Sequence, residues 1–354
     1  MLLKEIPMNI MITGATGFVG TKLMKSLLNE GHTLYPIIRS EKKINQFLAN
    51  ISEEESSRVH PIAGDITQHE LGLATATQIE LTNRIDILYH TAAFLSFNPA
   101  DRDKTFFVNV EGTRHAISLA KKLSIPSFYH VSTAYTLGMD TYSEETLHST
   151  DREFVNDYEE SKCLAEHLVW EQRHEFNISI FRPAIIVGDS NTGEADTTFA
   201  LYGLLKAVGL IKKLADRGRI SADETIHLLS NGEASNNVVP VNYVVDVLTA
   251  AVAHAEASTI YHIANNEAPS NKKVVEWIKE ISGVDQLEIV EDSSRLTKKD
   301  EVINEPMSVF HSYLTRTVIF EDSNTKKLLF KAGKQPINLT HVRYRMLIET
   351  YFTK

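Results

Sequence analysis

A single cysteine, Cys163, in 354 residues excludes an internal disulfide framework and any metal site built from several thiolates, and it fits a reducing compartment. Apolar runs long enough to span a bilayer are also missing, since every candidate is broken by Lys or His short of the roughly 18 residues required. Met1 to Met8 carries only Lys4 ahead of a short apolar stretch and shows no small-residue cleavage site, so no secretion signal is read and a cytoplasmic location is expected. Basic surplus is absent too. With 36 Lys and Arg against 46 Asp and Glu, the formal charge of −10 offers nothing to neutralise a phosphate backbone, which argues against nucleic acid as a partner. What is present, 43% hydrophobic and 23% charged residues, is the balance of a folded chain with a large core.

From Asn9 to Phe181, short β-branched runs alternate with segments of helical period, the pattern of repeated βαβ units around a parallel sheet. The expected strands are Asn9 to Thr13, Thr33 to Ile38, Val59 to Ala63, Ile85 to His90, Ser127 to Ser132 and Ile178 to Phe181. The acidic run Ser52 to Arg58 reads as a solvated connection. Beyond Asp189 the alternation loosens into an apolar helix (Phe199 to Leu214), a strand (Ile226 to Ser230), a helix from Asn242, a strand (Ile260 to Ala264) and a helix (Asn271 to Ile281). The expected fold is therefore α/β, a Rossmann-type doubly wound parallel sheet in residues 1–188, with a smaller C-terminal substrate-binding region and the last sheet strands in 189–354.

Directly after the first strand stands Thr13-Gly14-Ala15-Thr16-Gly17-Phe18-Val19-Gly20, followed by a helix. Three glycines there serve a tight turn, the approach of a pyrophosphate to bare backbone, and close packing of helix on strand, while the helix N-terminus faces the phosphates with unpaired N–H groups. Strand two ends Ile38-Arg39-Ser40, with Arg39 where an acidic residue would grip the ribose of NAD. A guanidinium pairs with a 2′-phosphate, so NADP(H) is favoured, with Glu41 keeping NAD(H) open.

Tyr158 and Lys162 lie four residues apart, on one face of a helix expected to start near Asn156. An ammonium beside a phenol favours the phenolate, so Lys162 is expected to lower the pKa of Tyr158. Upstream, Val131-Ser132-Thr133 ends strand five with two hydroxyls. Cys163, next to Lys162, points about 100° away on a helix and reads as a small buried residue.

The even spacing of Gly14, Gly17 and Gly20, with Tyr158 and Lys162, resembles the extended branch of the short-chain dehydrogenase/reductase superfamily. That resemblance implies that Tyr158 donates a proton or hydrogen bond to the substrate oxygen and that Lys162 binds the nicotinamide ribose. It assigns the third hydroxyl to Thr133, with Ser132 as runner-up. It also places Asp65 and Ile66 beside the adenine, Thr91, Ala92 and Ala93 along the cofactor, and counts Thr16, Phe18 and Val19 of the glycine loop and Pro183, just after strand six, among the cofactor-binding residues. Asn109 matches a supporting position, with a plain helix-start residue as the other reading. The block Gly188-Asp189-Ser190-Asn191-Thr192-Gly193-Glu194 is narrower and resembles thioester reductases and fatty acyl-CoA reductases, the male-sterility family. Val239 to Asp246, Ile260 to Ala264 and Phe320 to Thr325 look like later blocks of that family.

The implied activity is NADPH-dependent reduction of an acyl thioester to an aldehyde, or onward to an alcohol. The acyl group would arrive as a CoA ester or on a separate carrier protein, and the apolar helix from Phe199 would line its pocket. Alternatives are an NAD-dependent nucleotide-sugar epimerase or dehydratase, a ketone or steroid-type reductase, and a non-catalytic dinucleotide sensor, the last disfavoured by Tyr158, Lys162 and Thr133. No metal is expected, and oligomeric state is left open, a homodimer included.

Overall fold

The computed structural model describes residues 6–39, 41–195, 201–221, 224–337 and 339–353. Seven parallel strands form the central sheet among these residues: β1 (Asn9–Thr13), β2 (Thr33–Ile38), β3 (Ile62–Ala63), β4 (Ile87–His90), β5 (Ser127–Val131), β6 (Asn177–Pro183) and β7 (Thr259–Ile263). Their spatial order is β7-β6-β5-β4-β1-β2-β3. The chain winds outward from β1 in one direction to β3, then returns to β4 on its other side. The carboxyl ends of β1 and β4 therefore border the crevice in which such sheets bind ligands.

Neighbouring residues of one strand feed different cores. Ile10 and Ile12 belong to one apolar cluster and Met11 to another, as do Ile87 and Tyr89 against Leu88. Both faces of the sheet are covered, which is why its strands read as continuous apolar runs. On one face α1 (Phe18–Asn29) packs with Leu23, Met24, Leu27 and Leu28 against a later helix, Val241–His254. The other face is covered by α2 (Gly112–Lys122) and α3 (Asp157–Trp170).

β1 and β2 have the expected limits, whereas β3 is reduced to two residues. Pro61 interrupts the run after an isolated bridge from Val59 to Leu34, because proline has no N–H to give to the ladder. The acidic run is more than a connection. Ser52 and Glu55 form a reciprocal capping box over a one-turn helix, Glu53–Ser56.

After β6 the chain builds a second apolar core from α4 (Leu201–Asp216), Asn271–Ser282 and His341–Thr353, beside a small parallel pair, Ile226–Leu229 with Leu287–Val290. On the sheet side, Arg182 of β6 and Glu166 of α3 form a buried ion pair. Neither has any exposure, and the guanidinium Nε and Nη2 donate to the carboxylate at 2.9 and 2.6 Å. Glu145 accepts from the backbone N–H groups of His262 and Asn324, and Thr325 Oγ1 donates to the His262 carbonyl. The late blocks around His262 and Asn324 are thus the seam that ties the C-terminal segment to β7. No helix among the described residues is long and apolar enough to cross a membrane.

Candidate active site

Gly14 has φ +71°, and a Cβ there would lie 2.6 Å from Thr91 Oγ1 and 2.7 Å from the Ala92 nitrogen. A Cβ on Gly20 would lie 2.2 Å from the Gly14 carbonyl oxygen. These two glycines let the loop press against the end of β4 and let α1 press against the loop. Gly17 is the N-cap of α1 and has no side chain to bond the amides of the first turn. Bare amides at a helix start, above the crevice between β1 and β4, fit the pyrophosphate of a dinucleotide. Thr13 locks the two strand ends together: its hydroxyl meets His90 Nδ1 at 2.9 Å, and its carbonyl accepts from Thr91 Oγ1 at 2.6 Å.

Below the loop opens a cavity of about 440 Å³. It gathers Phe18 and Val19 from α1, Thr91 and Ala93 after β4, Ser132 and Thr133 after β5, Tyr158 from α3, and Pro183 from β6. Asn156 caps α3 by accepting from the Glu159 N–H at 3.0 Å, so the helix begins where its sequence predicts and carries Tyr158 to the rim. Asn109 sits in a π-helical turn, not at a helix start, and is buried; it bonds both backbone groups of Phe94 and Ser161 Oγ on α3. That clamp fixes the loop after β4 against the helix bearing Tyr158 and Lys162.

Burial pushes the Tyr158 phenol well above its ordinary value of 10.0, and the adjacent Glu159 carboxylate adds to the effect. The lowering expected from Lys162 is not found. Its buried ammonium donates to the Val131 carbonyl at 2.8 Å and approaches His130 Nε2 at 3.4 Å, and burial brings it down to about 8. Tyr158 is therefore held as a neutral phenol, which is the form that donates a proton. The two neighbouring hydroxyls differ. Thr133 Oγ1 accepts from the Tyr135 N–H at 3.3 Å, whereas Ser132 Oγ has no hydrogen-bond partner among the described residues.

Other expected residues lie outside this cavity. Arg39 is exposed at the end of β2, and Ser40 falls outside the described residues. Thr16 lines a separate pocket with Lys22, Lys25 and Lys43. Asp65 Oδ1 accepts from the N–H and hydroxyl of Thr67, and Ile66 is buried against Gly112. Cys163 is fully buried, its thiol raised to about 12 by burial.

The Gly188–Glu194 block does not line the cavity either. Asp189 and Glu194 close a turn through a 2.8 Å backbone bond, and Asn242 Oδ1 accepts from the Ser190 N–H. The helix expected to line an acyl pocket is mostly core: Leu205, Val208 and Ile211 are buried, only Leu201 and Leu204 border a second cavity, and Phe199 lies outside the described residues.

Sequence reasoning missed Glu159, Phe310 and Tyr313, which complete the cavity wall. Tyr313 donates a short hydrogen bond to Glu159 Oε1 and accepts one from Asn156 Nδ2 at 2.8 Å. Glu159, buried, is pushed up to about 7. A glutamate beside the Tyr158 position was visible; its tyrosine partner, 154 residues away, was not.

Residues 12–248 match the family model described as male sterility protein, an NAD-binding family. The chain belongs to this family. Fatty acyl-CoA reductase 1 of Xenopus laevis is 30% identical over 222 residues, covering 50% of this chain and 43% of that protein. Sterol demethylase protein B of Methylococcus capsulatus is 29% identical over 184 residues, covering 51% of this chain and 52% of that one. The matches thus span about half the length of these relatives. Among solved structures, the terminal R domain from the myxalamid PKS-NRPS biosynthetic pathway superposes with a TM-score of 0.78 at 22% identity, over 99% of this chain and 91% of that one, a likeness of fold.

Proposed function

We propose that this protein reduces an acyl thioester to the aldehyde with NADPH. The observation that carries the reading is Tyr158 at a cavity whose other walls are mostly aliphatic and aromatic. Such a cavity suits a thioester with a hydrocarbon acyl group better than a sugar nucleotide, whose hydroxyls need polar partners. The likeness to a fatty acyl-CoA reductase supports the same substrate class.

A reduced nicotinamide, when bound, supplies the hydride. The chain's own residues handle the oxygen. As negative charge develops on the thioester carbonyl oxygen, Tyr158 donates its proton, and the Thr133 hydroxyl, with Ser132 beside it, donates a hydrogen bond. The carbon–sulfur bond of the resulting hemithioacetal then breaks, giving aldehyde and free thiol. Per turnover, one thioester, one NADPH and one proton yield one aldehyde, one thiol and one NADP⁺. Gly17 and the first-turn amides of α1 would hold the pyrophosphate, Lys162 the nicotinamide ribose, and Arg39 the 2′-phosphate.

The test is NADPH consumption with a panel of acyl-CoA esters, aldehydes and sterol ketones, with free thiol titrated in parallel. Thioesters should release one thiol per NADPH oxidised. Reduction of ketones without any thioester turnover would overturn the assignment. In the same assay, Arg39→Asp should weaken NADPH binding by about tenfold, one lost charge-assisted contact, while sparing NADH. Equal loss for both cofactors would make Arg39 structural.

A further inference from the structure

Behind the catalytic cavity lies a second one, of about 60 Å³, inside the C-terminal core. Leu201, Leu204, Leu228, Val274, Val275 and Ile289 are among the aliphatic side chains around it. Three of its polar neighbours, Ser230, Asn236 and Asn271, are bonded to one another. Asn271 Nδ2 donates to the Leu314 carbonyl and to Ser230 Oγ, and its Oδ1 accepts from Asn236 Nδ2. What remains is a lining that is mostly hydrocarbon, with Tyr344 at its edge, and it suits an alkyl chain.

Ile185, Phe310 and Tyr313 border both cavities, so a single layer of side chains separates them. Ile185 belongs to a short strand, Ile185–Val187, but Phe310 and Tyr313 ride on two successive short turns, Glu305–Phe310 and His311–Leu314. The second turn is anchored at its end, where the Leu314 carbonyl accepts from the Asn231 N–H, Ser230 Oγ and Asn271 Nδ2. The wall is held from the far side, by the Tyr313 hydroxyl on Glu159, by Asn156 on that hydroxyl, and by edge-on aromatic contacts of Phe310 with Phe97 (5.6 Å) and of Tyr313 with Tyr135 (5.0 Å).

We propose that Phe310 and Tyr313 form the end wall of the acyl site and thereby set the longest acyl chain the enzyme reduces, with the space behind them a closed-off extension of that site. The proposal rests on the thioester reading and adds its chain-length determinant. The occupant of the catalytic cavity is the alkyl end of the substrate, its last carbons against the Phe310 ring. Glu159 and Asn156 are positioning residues that keep Tyr313 in the wall.

The experiment is kcat/KM for saturated acyl-CoA esters from hexanoyl to octadecanoyl, on wild type, Phe310→Ala, Phe310→Leu and Tyr313→Phe, each shown to be folded by its thermal transition. In wild type, kcat/KM should rise with chain length and then break. Phe310→Ala joins the two cavities and should move the break to longer chains. Each methylene newly buried contributes about fourfold, so the first esters beyond the wild-type break should gain tenfold or more relative to hexanoyl-CoA. Phe310→Leu should move the break in the same direction by less, and serves if the alanine variant does not fold. Tyr313→Phe, which keeps the ring and releases it from Glu159, should gain a few-fold. Filling the inner cavity by Leu204→Phe in the Phe310→Ala background should return the break to its wild-type position. A folded Phe310→Ala or Phe310→Leu enzyme with an unmoved break overturns the proposal while leaving thioester reduction intact. No turnover of any thioester by any form, with aldehydes or ketones reduced, overturns the parent reading instead.

Discussion

The two sides of the catalytic cavity are held in different ways. On the sheet side, Lys162 is tied to the β5 carbonyl of Val131, Asn109 clamps α3 to the loop after β4, and the buried Arg182–Glu166 pair joins β6 to α3. On the C-terminal side, Phe310 and Tyr313 stand on short turns held by ring contacts, by the Tyr313 hydroxyl between Glu159 and Asn156, and by the Leu314 carbonyl, which accepts from Asn231, Ser230 and Asn271. The difference teaches a division of labour. On the proposed function, groups that would meet a reacting carbonyl at fixed distance sit where several strands determine their place, while groups that would shape the pocket sit where a substitution repacks a few side chains.

If that division is right, damage on the sheet side abolishes chemistry or folding, and damage on the other side only reshapes selectivity. The largest effect should come from Tyr158→Phe, which removes one oxygen. Turnover should fall by about 10²–10³-fold as the developing oxyanion loses its donor, with little change in NADPH affinity or Tm. Comparison of Thr133→Ala with Ser132→Ala, under the same assay, decides which hydroxyl shares the task.

Next in size is Arg182→Met. It leaves Glu166 buried without its partner and should cost about 3–5 kcal/mol, lowering Tm by on the order of 10 °C in thermal denaturation. The double variant Arg182→Met/Glu166→Leu should recover much of that loss. If the single variant melts like wild type, the pair does not hold α3 to β6.

A smaller effect separates the sides by pH. Glu159 is pushed up to about 7 from an ordinary 4.5, mainly by burial. The folded protein then binds more protons than the unfolded chain between those values, so this group's contribution to stability falls as pH rises from about 4.5 to about 7. Glu145, also raised to about 7 by burial, acts in the same window. Glu159→Gln should therefore flatten, without abolishing, the decline of Tm across that range. An unaltered slope would show that Glu159 is solvated and that Tyr313 is not held as described.

The same division governs what the sequence reveals. β1, β2, the glycine loop and the Asn156 cap are local patterns, and their positions are legible because neighbours in sequence dictate them. The environment of Lys162 is not local: its pull on Tyr158 was expected from helix spacing alone, and the Val131 carbonyl, 31 residues upstream, takes the ammonium instead. The Gly188–Glu194 block was informative as a pattern but silent about place, since its residues close a turn rather than face the cavity. The end wall was illegible altogether. Phe310 and Tyr313 lie in a stretch with no helical or strand period long enough to read, and their roles follow from contacts with residues more than a hundred positions away.

The central claim, that hydride is delivered to a thioester carbonyl held by the sheet side, has one most direct measurement. NADPH carrying deuterium at the transferable position of C4 is incubated with enzyme and an acyl-CoA ester, the aldehyde is trapped as its oxime, and the label is read by mass spectrometry while free thiol is counted. The account predicts one deuterium at the aldehyde carbon for each thiol released, and loss of both in Tyr158→Phe. Thiol released without deuterium in any product, with the acyl group recovered as the free acid, would mean hydrolysis rather than reduction and would contradict it.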